Sequence, residues 1–105
     1  SMKAMDILER IKALLGGRKY IITTHAISRM TDRGVAIQDL ISLIADGEII
    51  ETYPNRAPCP AALLLGFISG KPCHAVVAIC RDRLSIITVY WPDEDCWLDC
   101  RRRRL

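Results

Sequence analysis

One change of grammar constrains this chain more than anything else in it. Up to Asp46 apolar side chains recur every three or four positions, and after Gly47 they fall into short runs rich in β-branched residues. Met5, Ile7, Leu8, Ile11, Leu14 and Leu15 form the apolar stripe of a first helix over residues 4–15, ended by Gly16-Gly17. A short extended or capping segment follows at 20–23. Thr23 or Thr24 is then the N-cap of a second helix, which Gly34 closes. Ile37, Leu40, Ile41, Leu43 and Ile44 mark a third helix from Ala36 to Asp46.

The second half reads as four strands, EIIETY, ALLLGFI, CHAVVAIC and LSIITVYW. Gly70 and Pro72 in ISGKPC suit one hairpin, and the polar triplet Arg81-Asp82-Arg83 suits another. With no helix between these strands, an antiparallel meander is expected, because a parallel return needs a long crossover. Pro54, Pro58 and Pro60 make the first connection irregular, and Pro92 ends the last strand. Residues 95–104 are expected to add a short terminal helix. The class is therefore α+β, a single domain over residues 2–105 with the helices on one face of a four-stranded antiparallel sheet. The other face is left free to bind a partner.

Half of the residues are apolar, enough for a core without metals or crosslinks. No run approaches the roughly 18 to 20 apolar residues of a membrane span, and no secretion signal is recognisable, so a cytoplasmic protein without membrane contact is expected. The formal charge of +3 rests on Arg101 to Arg104; removing these four from the 15 basic residues leaves 11 against 12 acidic ones. Affinity for a polyanion must then come from local clusters, and the tail reads as a solvated terminus. Cys59, Cys73, Cys80, Cys96 and Cys100 are an odd number, read as free thiols, with Cys80 a small core residue. Cys96 and Cys100 are spaced as two helix ligands would be, but no second zinc-spaced pair accompanies them, and no metal or other cofactor is expected.

The run TTHAISRMTDRG sets His25, Arg29 and Arg33 at intervals of four, along one stripe of the second helix. A histidine near the positive end of a helix dipole favours its neutral, basic form, and two guanidinium forks match phosphate geometry. The alternatives are a histidine that only caps or packs, and an Arg29 that pairs with Asp32 three residues on. His74 opens the third strand on the face of Val76, Ala78 and Cys80, and could complete an acid–base pair with His25 or sit half-buried on a backbone hydrogen bond. Tyr53 and Tyr90, at strand ends, could stack on a base or donate a proton, or merely pack with a wet tip. Trp91 and Trp97 are assigned to packing. No phosphate loop, nucleophile elbow or HExxH motif is present, which disfavours nucleotide hydrolysis and metalloprotease chemistry.

HAISRMTDRGV, DGEIIETYP, LLLGFISGKPCHAVVA and IITVYWPD follow one another in an order that resembles the bacterial family known as domain of unknown function 4258, over about His25 to Asp99. That family looks like part of the wider RelE-like and barnase-like folds. The resemblance implies a metal-independent endoribonuclease, the toxin of a type II toxin–antitoxin pair. The implied partners are RNA and a cognate antitoxin, of the zinc-ribbon type that accompanies the MqsR toxin. It further implies catalytic roles for His25, Arg29, Arg33, His74 and Tyr90, all of which are filled here. Tyr53, Arg81 and Arg83 are the candidate RNA contacts. The third helix begins with Ala36 where the family has a capping serine or threonine, so its start should be weak. The competing expectation is a non-catalytic protein-interaction module of the same fold, using the free sheet face or an edge.

Overall fold

Three helices lie in the first half of the chain, as the apolar period requires, in a computed structural model that describes residues 4–105, with side chains from Asp6 onward. Helix α1 spans Ala4–Gly16, α2 Thr24–Arg33 and α3 Ile37–Asp46. Met5, expected on the α1 stripe, lies outside the described side chains, while Ile7, Ile11 and Leu15 are buried. Gly34 takes a left-handed φ of 67° and its N–H returns to the Met30 and Thr31 carbonyls, the closure that ends α2. Ala36 offers α3 no side-chain cap, so that helix is held by burying Leu40, Leu43 and Ile44 against the sheet.

The strands are β1 (Tyr20–Ile22), β2 (Glu48–Tyr53), β3 (Ala61–Ile68), β4 (Lys71–Ile79) and β5 (Leu84–Tyr90), in the spatial order β1-β5-β4-β3-β2. The expected meander β2 to β5 is present and antiparallel, but the sheet has five strands, not four, and is mixed. Residues 20–22 pair in parallel with β5, Tyr20 opposite Leu84 and Ile22 opposite Ile86. A crossover was indeed needed; the intervening α2 and α3 and the other strands provide it, because β1 sits among the helices. At three residues β1 carries too little alternation to be read as a strand.

Ala62, Leu64, Ala75, Val77, Leu84, Ile86 and Val89 face the helices and form the main core with them. The approach is close at Gly66, where a Cβ would stand 2.7 Å from the Leu43 side chain of α3. Two β-bulges shape the sheet. In β2 the register passes from Ile49 to Glu51 across one residue step of β3, leaving Ile50 extra. In β5 it passes from Thr88 to Ile86 across one step of β4, leaving Ile87 extra.

The opposite face is not free. No terminal helix forms; residues 97–98 (β6) and 102–103 (β7) make a small antiparallel hairpin that folds back over that face. Asp99 and Cys100 take φ of 53° and 60°, the left-handed central pair of a turn that Arg101 N–H closes onto the Leu98 carbonyl at 3.1 Å and that a helix cannot contain. The thiols also differ from expectation. Cys59 and Cys80 form a disulfide with their Cα atoms 5.2 Å apart, brought together because the irregular 54–60 connection returns along β4 and the Pro60 carbonyl accepts from Ile79 N–H at 2.8 Å. Cys73, Cys96 and Cys100 are free. Among the described residues no helix is long and apolar enough to cross a membrane.

Candidate functional site

Helix α2 lies against the C-terminal half of β5, beyond the point where β1 stops pairing with it. Thr23 makes this join, and of the two expected caps it is the one used. Its hydroxyl accepts from Ala26 N–H at 3.0 Å and donates to the Ile87 carbonyl at 3.0 Å, while its own N–H reaches the Ile86 carbonyl at 3.1 Å. The bulge at Ile87 thus receives the start of α2 and sets its direction along the strand. A ten-residue helix and the last half of β5 are of similar length, about 15 Å, so the His25, Arg29 and Arg33 stripe runs beside the strand end.

Register divides the face away from the helices into rows across the strands. Glu48, Leu65, His74 and Tyr90 form one row; Glu51, Leu63, Val76 and Thr88 form the next. Glu48 and Glu51 are three apart, an odd separation that would put them on opposite faces, but the extra Ile50 restores both to the same face. His25, exposed on α2, places Nε2 3.1 Å from the Thr88 hydroxyl at the end of the second row. Tyr90 ends the neighbouring row. Thr88 and Tyr90 are two residues apart on one face, so their α-carbons are separated by about 7 Å.

Arg29 turns Nη2 toward Asp32 at 3.2 Å, the surface pair that its spacing allowed. Its Nε is buried and meets no acceptor among the described residues. Arg33 borders an open groove of about 390 Å³ with Lys71, Pro72, Trp91 and Pro92.

His74 is fully buried and is held on every side. Its Nε2 lies 2.6 Å from the Cys100 carbonyl, which can only accept, so Nε2 carries the proton and Nδ1 is the acceptor for the Tyr90 hydroxyl at 3.2 Å. Trp97 meets the imidazole edge-on at 4.6 Å and Tyr90 at 5.2 Å. Burial pulls the His74 pKa below 6.5, outweighing the Cys100 hydrogen bond and Glu51. The same burial pushes the Tyr90 phenol up to about 12, keeping it a donor.

The arm that covers His74 is latched by the arginines that sequence left solvated. Arg101 pairs with Glu48 at 2.8 Å, and Arg103 with Glu51 at 2.9 Å while its guanidinium stacks 4.6 Å over Trp97. Desolvation acts to raise the Glu51 pKa, but hydrogen bonds from Arg103 and from the Tyr53 hydroxyl, 2.5 Å away, leave it lowered. Tyr53 is therefore committed to this latch, its own pKa raised by burial and by Glu51.

The structure sets His25, Arg29 and Arg33 along α2 beside β5, places Tyr90 at the end of that strand, and packs His74 against Tyr90 under the arm. Arg81 and Arg83 stand apart: they are exposed in the β4–β5 turn, at the opposite end of β4 from His74, roughly 17 Å along the strand. Thr88, Lys71 and the Glu48–Arg101 and Glu51–Arg103 pairs went unrecognised in the sequence. Charge complementarity was the available signal for the pairs, hidden by the bulge. Cys96 and Cys100 sit on the hairpin, and among the described residues no three His, Cys, Asp or Glu groups converge as metal ligands would.

Residues 22–91 match the family described as Domain of unknown function (DUF4258). The matched segment carries the α2–β5 seam, His74 and Tyr90, and it stops before the arm. No curated protein and no solved structure matches the chain.

Proposed function

The chain belongs to the family of domain of unknown function 4258, which matches two-thirds of its length, and from that premise we propose that it is an endoribonuclease acting at the α2–β5 seam. The observation that carries this reading is the α2 stripe itself: exposed His25, with Nε2 on the Thr88 hydroxyl, is followed at intervals of four by the guanidiniums of Arg29 and Arg33 on one helix face. Phosphoryl oxygens are acceptors suited to guanidinium forks, and a guanidinium there offsets the charge that builds on the phosphoryl oxygens in the transition state.

His25 removes the proton from an RNA 2′-hydroxyl, and the freed oxygen attacks the adjacent phosphorus. Arg29 and Arg33 hold the non-bridging oxygens. The bond to the 5′-oxygen breaks as that oxygen takes a proton, leaving a 2′,3′-cyclic phosphate and a 5′-hydroxyl. DNA lacks the attacking hydroxyl and is not a substrate. Tyr90, protonated and one row from His25, is the donor to the leaving oxygen: its hydroxyl turns from His74 Nδ1 to that oxygen, gives up its proton and is reprotonated from water. His74 acts through it: with Nε2 committed to Cys100, Nδ1 holds the phenol between turnovers, a positioning role.

As a toxin of a type II pair, the protein works on RNA in the bacterial cell and is restrained by a cognate antitoxin. Induced expression should arrest growth, and His25→Ala, an exposed substitution that leaves the core untouched, should relieve the arrest at equal protein level. Arrest by both proteins alike would remove the support for catalysis and favour the interaction-module reading. That reading offered the free sheet face or an edge; the arm covers that face, so a partner protein is left the outer edges of β1 and β2.

A further inference from the structure

The groove at the C-terminal end of α2 shares Arg33 with the seam and otherwise lies outside it. Arg33, from the last turn of the helix, and Lys71, from the start of β4, both line it, together with Pro72, Trp91 and Pro92. Among the described residues neither cation has a carboxylate partner, whereas Arg29, Arg101 and Arg103 each do. Trp91 is only partly buried: part of the indole packs on the main core, and the rest lines the groove between two rigid prolines.

Two unpaired cations beside a fixed aromatic surface suit a ligand that is both anionic and planar. A simple anion would use the cations and leave the indole idle; an uncharged aromatic would do the reverse. We propose that the Arg33–Lys71–Trp91 groove is a nucleotide subsite, in which a base stacks on Trp91 while its phosphate lies between Arg33 and Lys71. The groove continues the line of His25 and Arg29 past the end of α2, so it takes the nucleotide next to the scissile bond; this placement rests on the ribonuclease reading, while the nucleotide chemistry of the groove does not. The subsite has about 390 Å³, room for a single base and its phosphate.

Titration of the full-length protein with a single-stranded 2′-O-methyl RNA hexamer, which binds but cannot be cut, tests this, read by tryptophan fluorescence and by anisotropy. Adenosine monophosphate and inorganic phosphate serve as the free-ligand arms. The hexamer should quench tryptophan emission and the monophosphate should do so more weakly, whereas phosphate should not. Trp91→Phe should abolish the quench, since Trp97 is buried under Arg103. Trp91→Leu should weaken hexamer binding about five- to hundredfold. Lys71→Ala, at an exposed turn, should flatten the slope of log Kd against log salt by about 0.7, and Lys71→Arg should restore it. Hexamer binding with an unchanged quench in Trp91→Phe and an unchanged slope in Lys71→Ala would overturn the subsite, and the ribonuclease reading would still stand if ordinary RNA is cut and His25→Ala does not cut it. Quenching by the monophosphate and hexamer in a protein that cuts no RNA would support the subsite and overturn that reading. Absence of any nucleotide or hexamer binding would overturn both.

Discussion

His74 shows how a residue's surroundings decide its role. Any histidine at the mouth of an apolar strand invites an acid–base assignment, yet this one gives its proton to a backbone carbonyl and its lone pair to a tyrosine. Its pKa is lowered by burial below the ordinary 6.5, so below about pH 6.5 the unfolded chain binds a proton that the folded chain does not. Stability should therefore fall as pH drops below about 6.5, in urea melts read between pH 7.5 and 5. His74→Gln can still donate to the Cys100 carbonyl and accept from Tyr90, and should remove that part of the decline. A wild-type curve flat from pH 7.5 to 5 would contradict the neutral, buried imidazole. Glu51 adds a second loss at lower pH: its folded pKa is depressed, so its contribution is present above 4.5 and disappears as pH falls through the lower folded value.

At the scale of elements, the C-terminal arm is the least predictable part of the chain and the one that most changes the site. Arg101 and Arg103 are largely exposed, so solvent screens each ion pair, and the arm is held by several weak contacts plus the Trp97–His74 packing. Replacing both arginines by alanine should speed amide hydrogen exchange across residues 96–104 while leaving the core strands β3 and β4 protected. Unchanged exchange in the arm would show that the latch is elsewhere. The three helices were legible because each repeats its apolar period over ten or more residues, and β2 to β5 because turn residues separate them. β1 was not, being three residues long. The arm was misread for a physical reason: Cys96 and Cys100 have helical spacing, but Asp99-Cys100 occupy the left-handed turn usually marked by Asp-Gly or Asn-Gly, and cysteine gives no such sign. The stripe of His25, Arg29 and Arg33 was visible in full, whereas its neighbour Thr88 was not, since its facing depends on a bulge that no local pattern announces.

Across the whole molecule the two ends of the sheet do different work. The seam, Tyr90 and the Trp91 groove lie at one end of β4 and β5; the turn with Arg81 and Arg83 and the Cys59–Cys80 disulfide lie at the other. The disulfide closes a loop with a sequence separation of 21, worth about 3 kcal/mol by chain entropy. Cys59→Ala combined with Cys80→Ala should lower stability by up to that amount in denaturant titrations, with RNA cleavage by the folded fraction unchanged; loss of cleavage in protein that remains folded would place the site at the wrong end. Charge follows the same division. The arginine tail that accounts for the net charge of +3 is largely spent on Glu48, Glu51 and the Glu94 carbonyl, which leaves Arg33 and Lys71 as the cations facing the groove.

Cleavage of RNA through the 2′-hydroxyl at the α2–β5 seam can be read by single-turnover reaction of an RNA oligonucleotide with mass analysis of the new ends. A 2′,3′-cyclic phosphate product is expected, with no cut where the attacking nucleotide is 2′-deoxy, and rates lowered about 10²- to 10⁴-fold by His25→Ala and by Tyr90→Phe. A 3′-hydroxyl product, or cleavage by His25→Ala at the wild-type rate, would contradict this mechanism.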